Sequence, residues 1–193
     1  IGIEKQVLPD FGLRITPSFE AARRLVEAGA DIVALDATLR PRPGDLDAAT
    51  LIRRVRQELG VPVMADISTF EEGMAAAEAG ADLVATTLSG YTPYSPQLQT
   101  PDFDLVARLA SAIRTPVVSE GRIATPREAV RMLELGAYAV VVGSMVNRPK
   151  WITQHFVAAL HARSAEHRAL AVDIGGTKIA AGVVSDGRVE RYR

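Results

Sequence analysis

Along this chain, short apolar runs rich in β-branched residues alternate with longer stretches in which Ala, Glu, Arg and Leu recur at helical spacing. That alternation predicts successive βα units around a parallel sheet. Six runs read as strands, at 1–5, 31–36, 62–66, 82–87, 116–120 and 138–143. Helices are expected near 18–28, 46–59, 70–79, 102–113, 126–135 and 150–163. The runs are continuously apolar, as in strands covered on both faces.

A weak repeat supports the division. Glu27-Ala28-Gly29-Ala30-Asp31, Glu78-Ala79-Gly80-Ala81-Asp82 and Glu134-Leu135-Gly136-Ala137-Tyr138 each carry a helix end into a strand, with Gly as the left-handed cap. Between them, Gly60-Val61-Pro62-Val63 and Arg114-Thr115-Pro116-Val117 open strands on proline, before a ladder donor is required. The strands start about 27 residues apart on average. An α/β fold of the (β/α)8 TIM barrel type, of roughly 250 residues, fits that spacing better than an open six-stranded sheet with a dinucleotide site. No Gly-x-Gly-x-x-Gly follows the first run. The expectation is a barrel over 1–163 lacking its first two βα units, which would lie upstream. A polar linker is expected at 164–168 and a second domain at 169–193. That domain opens with a strand at 169–173, a Gly175-Gly176-Thr177-Lys178 turn, a strand at 179–184 and a hairpin turn at 185–187.

Composition narrows the partners. The 193 residues are 48% hydrophobic and 23% charged with net charge −1, which excludes a disordered chain and gives no reason to expect nucleic acid or an anionic membrane. Without cysteine there is no thiol catalysis, thiolate metal site or disulfide framework. No apolar run reaches the roughly 18 residues of a membrane span, and the first residues lack a signal-peptide pattern. A cytoplasmic protein is expected, with a homo-oligomer left open.

In barrels of this type the chemistry lies at the carboxyl ends of the strands. The polar residues there are Lys5, Asp36, Asp66, Thr86 with Thr87, Glu120, and Gly143 with Ser144. Taken singly, each is as readily a helix cap; six together favour a polar pocket. If the first run is the third strand of eight, Lys5 and Glu120 end strands four places apart and face each other across the mouth. Two such groups suit removal of a proton from one face of a carbon and its return to the other, which is epimerisation. Gly121 and Arg122, then Gly143, Ser144 and Arg148, occupy the two loops where barrels commonly hold phosphate. The long loop 88–101, which contains Tyr91, is expected either to cover the mouth as a lid or to be a proline-stiffened surface loop. His155, His161 and His167 show no metal-ligand spacing, and no metal is assigned.

Several stretches then combine: Gly2-Ile3-Glu4-Lys5, Arg14-Ile15-Thr16-Pro17, Ala34-Leu35-Asp36-Ala37-Thr38-Leu39-Arg40-Pro41-Arg42-Pro43, Met64-Ala65-Asp66-Ile67-Ser68-Thr69, Thr86-Thr87-Leu88-Ser89-Gly90-Tyr91-Thr92, Ser119-Glu120-Gly121-Arg122 and Gly143-Ser144. Over residues 1 to about 163 the chain resembles the N-acetylmannosamine-6-phosphate 2-epimerases, also called N-acylglucosamine-6-phosphate 2-epimerases. The resemblance implies a TIM barrel and C2 epimerisation of a phosphosugar in sialic acid and amino sugar catabolism, without a cofactor. It places the catalytic lysine and glutamate on Lys5 and Glu120, a site aspartate on Asp66 and a phosphate-side arginine on Arg148. Asp36, Thr87, Tyr91, Gly121, Arg122, Gly143 and Ser144 complete the expected substrate set. The segment Leu170-Ala171-Val172-Asp173-Ile174-Gly175-Gly176-Thr177-Lys178 resembles the first β-hairpin of a ROK-family sugar kinase, an actin-like ATPase fold. That implies Mg-ATP contacts at Asp173, Gly175, Gly176, Thr177 and Lys178, and a fused N-acetylmannosamine kinase. A Schiff-base phosphosugar aldolase using Lys5, and a phosphosugar-binding barrel without catalysis, are the competing readings.

Overall fold

The computed structural model describes residues 1–9, 12–42, 44, 46–163, 169–174, 179–185 and 188–192, with side chains as far as residue 161. It divides into two units, Ile1–Gly143 and Ser144–Arg193.

The first unit is built on five parallel strands in sequential order: β3 (Val33–Asp36), β4 (Val63–Asp66), β5 (Leu83–Ala85), β6 (Val117–Glu120) and β7 (Ala139–Val141). Each step across the sheet passes through a helix. These are α2 (Ala48–Arg54), which ends in a π-helical turn over Val55–Leu59, α3 (Phe70–Glu78), α4 (Phe103–Ala112) and α5 (Pro126–Glu134). An additional helix, α1 (Phe19–Glu27), leads into β3. Helix starts follow their capping residues. Ser18, Asp47, Thr69, Asp102 and Thr125 each accept from a backbone N–H in the first turn, and Thr69 and Thr125 form complete capping boxes with Glu72 and Glu128. The repeated glycines end helices as expected, with φ of 92° at Gly29, 92° at Gly80 and 98° at Gly136.

The first expected strand is different in the structure. Only Gly2 bridges to the sheet, in parallel, opposite Val33; its N–H donates to Ile32 O at 2.8 Å and its carbonyl accepts from Ala34 N at 3.0 Å. Two residues after Ile3 the chain turns into an antiparallel pair, β1 (Lys5–Leu8) with β2 (Gly12–Ile15), Lys5 lying opposite Ile15. Residues 12–15, outside the six expected runs, pair with β1. Apolar content at 1–5 indicated sheet pairing, but not which partner would be taken.

Strand alternation sorts the core into two faces. Val33, Leu35, Val63, Ala65, Val84 and Val117 pack outward against Leu51, Ile52, Val106 and Leu109 of the helices in the main core. On the opposite face lies a smaller cluster of Ala34, Met64, Ala85 and Val118. Counting two residues onward from each places Asp36, Asp66, Thr87 and Glu120 on this same inner face, at the carboxyl ends of the strands.

The second unit contains α6 (Ser144–Asn147), α7 (Pro149–Arg163) and an antiparallel three-stranded sheet. Its strands are β8 (Ala169–Ile174), β9 (Ile179–Ser185) and β10 (Arg188–Tyr192), in the order β10-β9-β8. The strands at 169–173 and 179–184 are thus present and paired, Ala169 opposite Val184. Among the described residues no helix is long and apolar enough to cross a membrane.

Candidate active site

The inner-face residues form two levels. Asp36 and Asp66 are direct neighbours in the β3–β4 register, and Asp66 is level with Ala85. Thr87 and Glu120 stand one step further out: Ala85 pairs with Val118, and each lies two residues beyond. Thr87 Oγ1 joins the levels, 2.7 Å from Asp66 Oδ1 and 3.2 Å from Glu120 Oε2. The neighbouring Thr86 hydroxyl clamps the Glu120 backbone, with Oγ1 at 3.1 Å from both the carbonyl and the N–H of Glu120. Glu120 is therefore held at main chain and side chain by consecutive threonines.

Both carboxyls have raised pKa values. Asp66 is buried and its pKa is pushed up to about 8, first by loss of water, then by the charges of Glu120 and Asp36; Thr87's hydrogen bond and Lys5's charge oppose the shift. Burial also raises Glu120, against the same hydroxyl and the same lysine. Lys5 itself is exposed at the start of β1. Its charge bears on both carboxyls, lowering each against the effect of burial.

Asp36 is engaged within the chain. Its Oδ1 accepts from the Thr38 N–H at 3.0 Å and hydroxyl at 2.6 Å, and Oδ2 pairs with Arg40 at 2.5 Å and Arg14 at 3.8 Å. Arg42, also buried, donates to the carbonyls of Asp36 and Thr38 at 2.8 and 3.0 Å. The cluster fixes the turn after β3.

The loops around the mouth are equally tied. Gly121 and Arg122 both take left-handed backbone conformations, φ 118° and 57°. Arg122 reaches over the long loop, donating to Ser89 O at 2.6 Å and Thr100 O at 2.8 Å, with its guanidinium 5.6 Å from the Tyr91 ring centroid. Ser89 donates to Asp102 at 2.6 Å, and Thr92 contacts Ser68 at 2.8 Å and Ser95 at 3.0 Å. Loop 88–101 is held to the ends of the strands by these bonds. Buried Thr92 and Ser95 anchor it, while Tyr91 and Tyr94 face solvent. Gly143, exposed, closes the first unit; Ser144 and Arg148 belong to the second, where the Arg148 N–H bonds Ser144 O at 3.1 Å. Asp173 lies in β8, and Gly175, Gly176, Thr177 and Lys178 lie outside the described residues, as does the 164–168 linker. Among the described residues no three His, Asp or Glu side chains converge on a metal position.

One organising residue was not singled out by sequence reasoning. The fully buried Glu72 accepts from Leu39 N at 2.8 Å, Ser68 N and Oγ at 2.7 Å each, and Thr69 N at 3.0 Å, which ties the loop after β3 to the loop after β4. The Thr69-x-x-Glu72 capping-box pattern was its visible signal.

Comparison with known proteins follows the same residues. A family model described as "NanE: Putative N-acetylmannosamine-6-phosphate epimerase" matches residues 1–162. A protein of Caldanaerobacter subterraneus subsp. tengcongensis named "Putative N-acetylmannosamine-6-phosphate 2-epimerase" is 49% identical over 164 residues, spanning 84% of this chain and 69% of that protein. A protein of the same name from Clostridioides difficile is 44% identical over 160 residues, 83% of this chain and 71% of that one. The solved N-acetylmannosamine-6-phosphate 2-epimerase from Clostridium perfringens superposes with a TM-score of 0.78 at 43% identity, over 82% of this chain and 69% of that chain. FabK from Thermotoga maritima shares the fold alone, at 22% identity and a TM-score of 0.51 over 65% of this chain and 37% of that one.

Proposed function

Because this chain belongs to the NanE family of N-acetylmannosamine-6-phosphate epimerases, we propose that it interconverts N-acetylmannosamine 6-phosphate and N-acetylglucosamine 6-phosphate, with Lys5 and Glu120 exchanging the proton at C2. In the ring-opened sugar C2 adjoins the C1 aldehyde, so removal of its proton gives an enolate. Return of a proton to the other face completes the epimerisation, and no cofactor takes part. The observation that carries this reading is Glu120, a half-buried carboxyl with raised pKa, held by Thr86 and Thr87 at the strand ends and within the field of Lys5. Burial that raises the pKa of a carboxyl makes it a stronger base, better able to take a proton from carbon than a free glutamate.

Asp66 and Thr87 support that pair from the floor of the site. Gly121 and Gly143 offer backbone N–H groups beside the mouth for the phosphate. Arg122 and Tyr91 shape the rim, and Asp36 holds the loop after β3 in place. Residues 169–193, with their paired β8, β9 and β10, are read as the opening of a ROK-type sugar kinase that binds Mg-ATP and would supply the phosphorylated sugar, in sialic acid breakdown in the cytoplasm.

The test is exchange of the C2 proton with solvent deuterium in the full protein. Lys5→Ala and Glu120→Gln should each abolish exchange while substrate still binds. Exchange retained in both variants refutes the assignment, and a borohydride-trapped adduct at Lys5 would point to an aldolase.

A further inference from the structure

Thr87 stands between two carboxyls, and a hydroxyl has one proton to donate. Its Oγ1 is 2.7 Å from Asp66 and 3.2 Å from Glu120. If both carboxyls were ionised, the hydroxyl would donate to one and turn a lone pair toward the other. With one proton between the two carboxyls, both contacts are hydrogen bonds: the acid donates to Oγ1, and Oγ1 donates to the carboxylate. Burial decides where that proton rests. Asp66 is 2% exposed and lies one step deeper in the strand register, whereas Glu120 is only partly covered. Desolvation penalises the ion more at the deeper site.

We propose that Thr87 is a positioning residue that conducts a proton from Asp66 to Glu120, so that buried Asp66 supplies the proton that Glu120 gives to C2. This inference rests on the reading of Glu120 as an acid and base at C2. At rest Asp66 is the acid of the pair and Glu120 the carboxylate. The Thr87 Oγ1–H bond then breaks as a new O–H bond forms at Glu120 Oε2, and the Asp66 O–H bond breaks as its proton moves to Oγ1. The products are an Asp66 carboxylate, an intact Thr87 hydroxyl and a neutral Glu120, with charge and protons conserved. Glu120 gives that proton to C2, Lys5 releases to solvent the proton it took from the other face, and one solvent proton returns through Glu120 and Thr87 to Asp66, which closes the cycle. The charges that bear on Asp66 are Glu120, Asp36 and Lys5, and the one that bears on Glu120 is Lys5; the lysine moderates both ends of the chain.

The experiment compares Thr87→Val, which keeps the shape and loses the hydroxyl, with Thr87→Ser, which keeps the hydroxyl. In the full protein Thr87→Val is expected to lower kcat by about 10- to 100-fold with KM little changed. The limb of the pH profile that belongs to Glu120 should move to higher pH, because a hydrogen bond that favours its charged form is lost. Thr87→Ser should restore both. A Thr87→Val enzyme with wild-type kcat and pH profile overturns the proposal, and so does a serine variant as impaired as the valine one. The wild-type protein gives a reading that does not depend on the variant folding. Its infrared spectrum at pH 7 should contain the carbonyl band of a protonated carboxyl, and Asp66→Asn should remove it; absence of the band also overturns the proposal. If Lys5→Ala and Glu120→Gln both retain C2 exchange, the epimerase assignment itself fails. Should Glu120→Gln be inactive while Thr87→Val is unimpaired, the proton path alone fails.

Discussion

Replacing Asp66 by Asn should change how stability depends on pH. In the folded protein burial holds the Asp66 carboxyl neutral up to about pH 8, whereas in the unfolded chain it ionises near the ordinary aspartate value of about 3.9. Across that interval the folded state carries a proton that the unfolded state has released, so raising the pH favours unfolding. The slope for one such group is about 1.4 kcal/mol per pH unit. Between pH 5 and pH 7 the wild-type protein should therefore lose about 3 kcal/mol. The stability cost is absent at pH below the unfolded value and complete above the folded one. Asparagine is nearly the same shape, can still meet Thr87 Oγ1 and carries no titrating proton. Asp66→Asn should be the more stable protein at pH 7 and above, with most of the slope removed; Glu120, shifted in the same direction, supplies the remainder. Urea melts of both proteins at pH 5, 7 and 8 measure this directly. Parallel stability curves for wild type and variant would refute the buried, neutral Asp66 and with it the basis of the shift.

Two further substitutions examine the scaffold. Glu72→Gln replaces an acceptor of four hydrogen bonds by an amide that turns donors toward donors; a loss of about 2–4 kcal/mol is expected, and an unchanged urea midpoint at pH 7 would disprove the keystone role. Gly90→Ala drives a Cβ into Arg122 Nη1 at a residue with φ 78°. It should cost about 1–3 kcal/mol and expose loop 88–101 to protease, whereas unaltered cleavage would show that Arg122 does not pin it.

The parallel sheet and its helices were legible because each unit repeats one physical pattern: a capping residue, an amphipathic helix, a glycine stop and a short apolar strand. Ser18, Thr69 and Thr125 begin helices for the same reason, and Gly29, Gly80 and Gly136 end them for the same reason. The β1–β2 pair was not legible, since a strand's partner depends on which edge is nearest and not on its own composition. Strand-end position also selected Asp66, Thr87 and Glu120, because alternation carries a residue to the inner face whatever the packing. Position alone could not separate a carboxyl left to titrate from one already neutralised. Asp36 and Asp66 share a register level and a residue type, yet Asp36 meets two arginines and the turn at Thr38, while Asp66 meets only a hydroxyl. That difference lies in Arg14, which comes from β2, and in the turn after β3 that folds Arg40 back onto Asp36.

The contrast between these two aspartates follows from what surrounds each carboxyl. Under Asp66 lies the small cluster of Ala34, Met64, Ala85 and Val118, which carries no polar side chain to stabilise a negative charge. Desolvation is then unopposed except by Thr87 and the more distant Lys5, and the carboxyl keeps its proton. Beside it, the arginines reach Asp36 from β2 and from the turn after β3, and they satisfy its charge before the mouth is reached. A guanidinium placed equally near Asp66 would ionise it and leave Thr87 with two carboxylates and one proton. Keeping Arg14 and Arg40 on the β3 side of the sheet is thus a requirement of the proton chain and not only of the loop they brace.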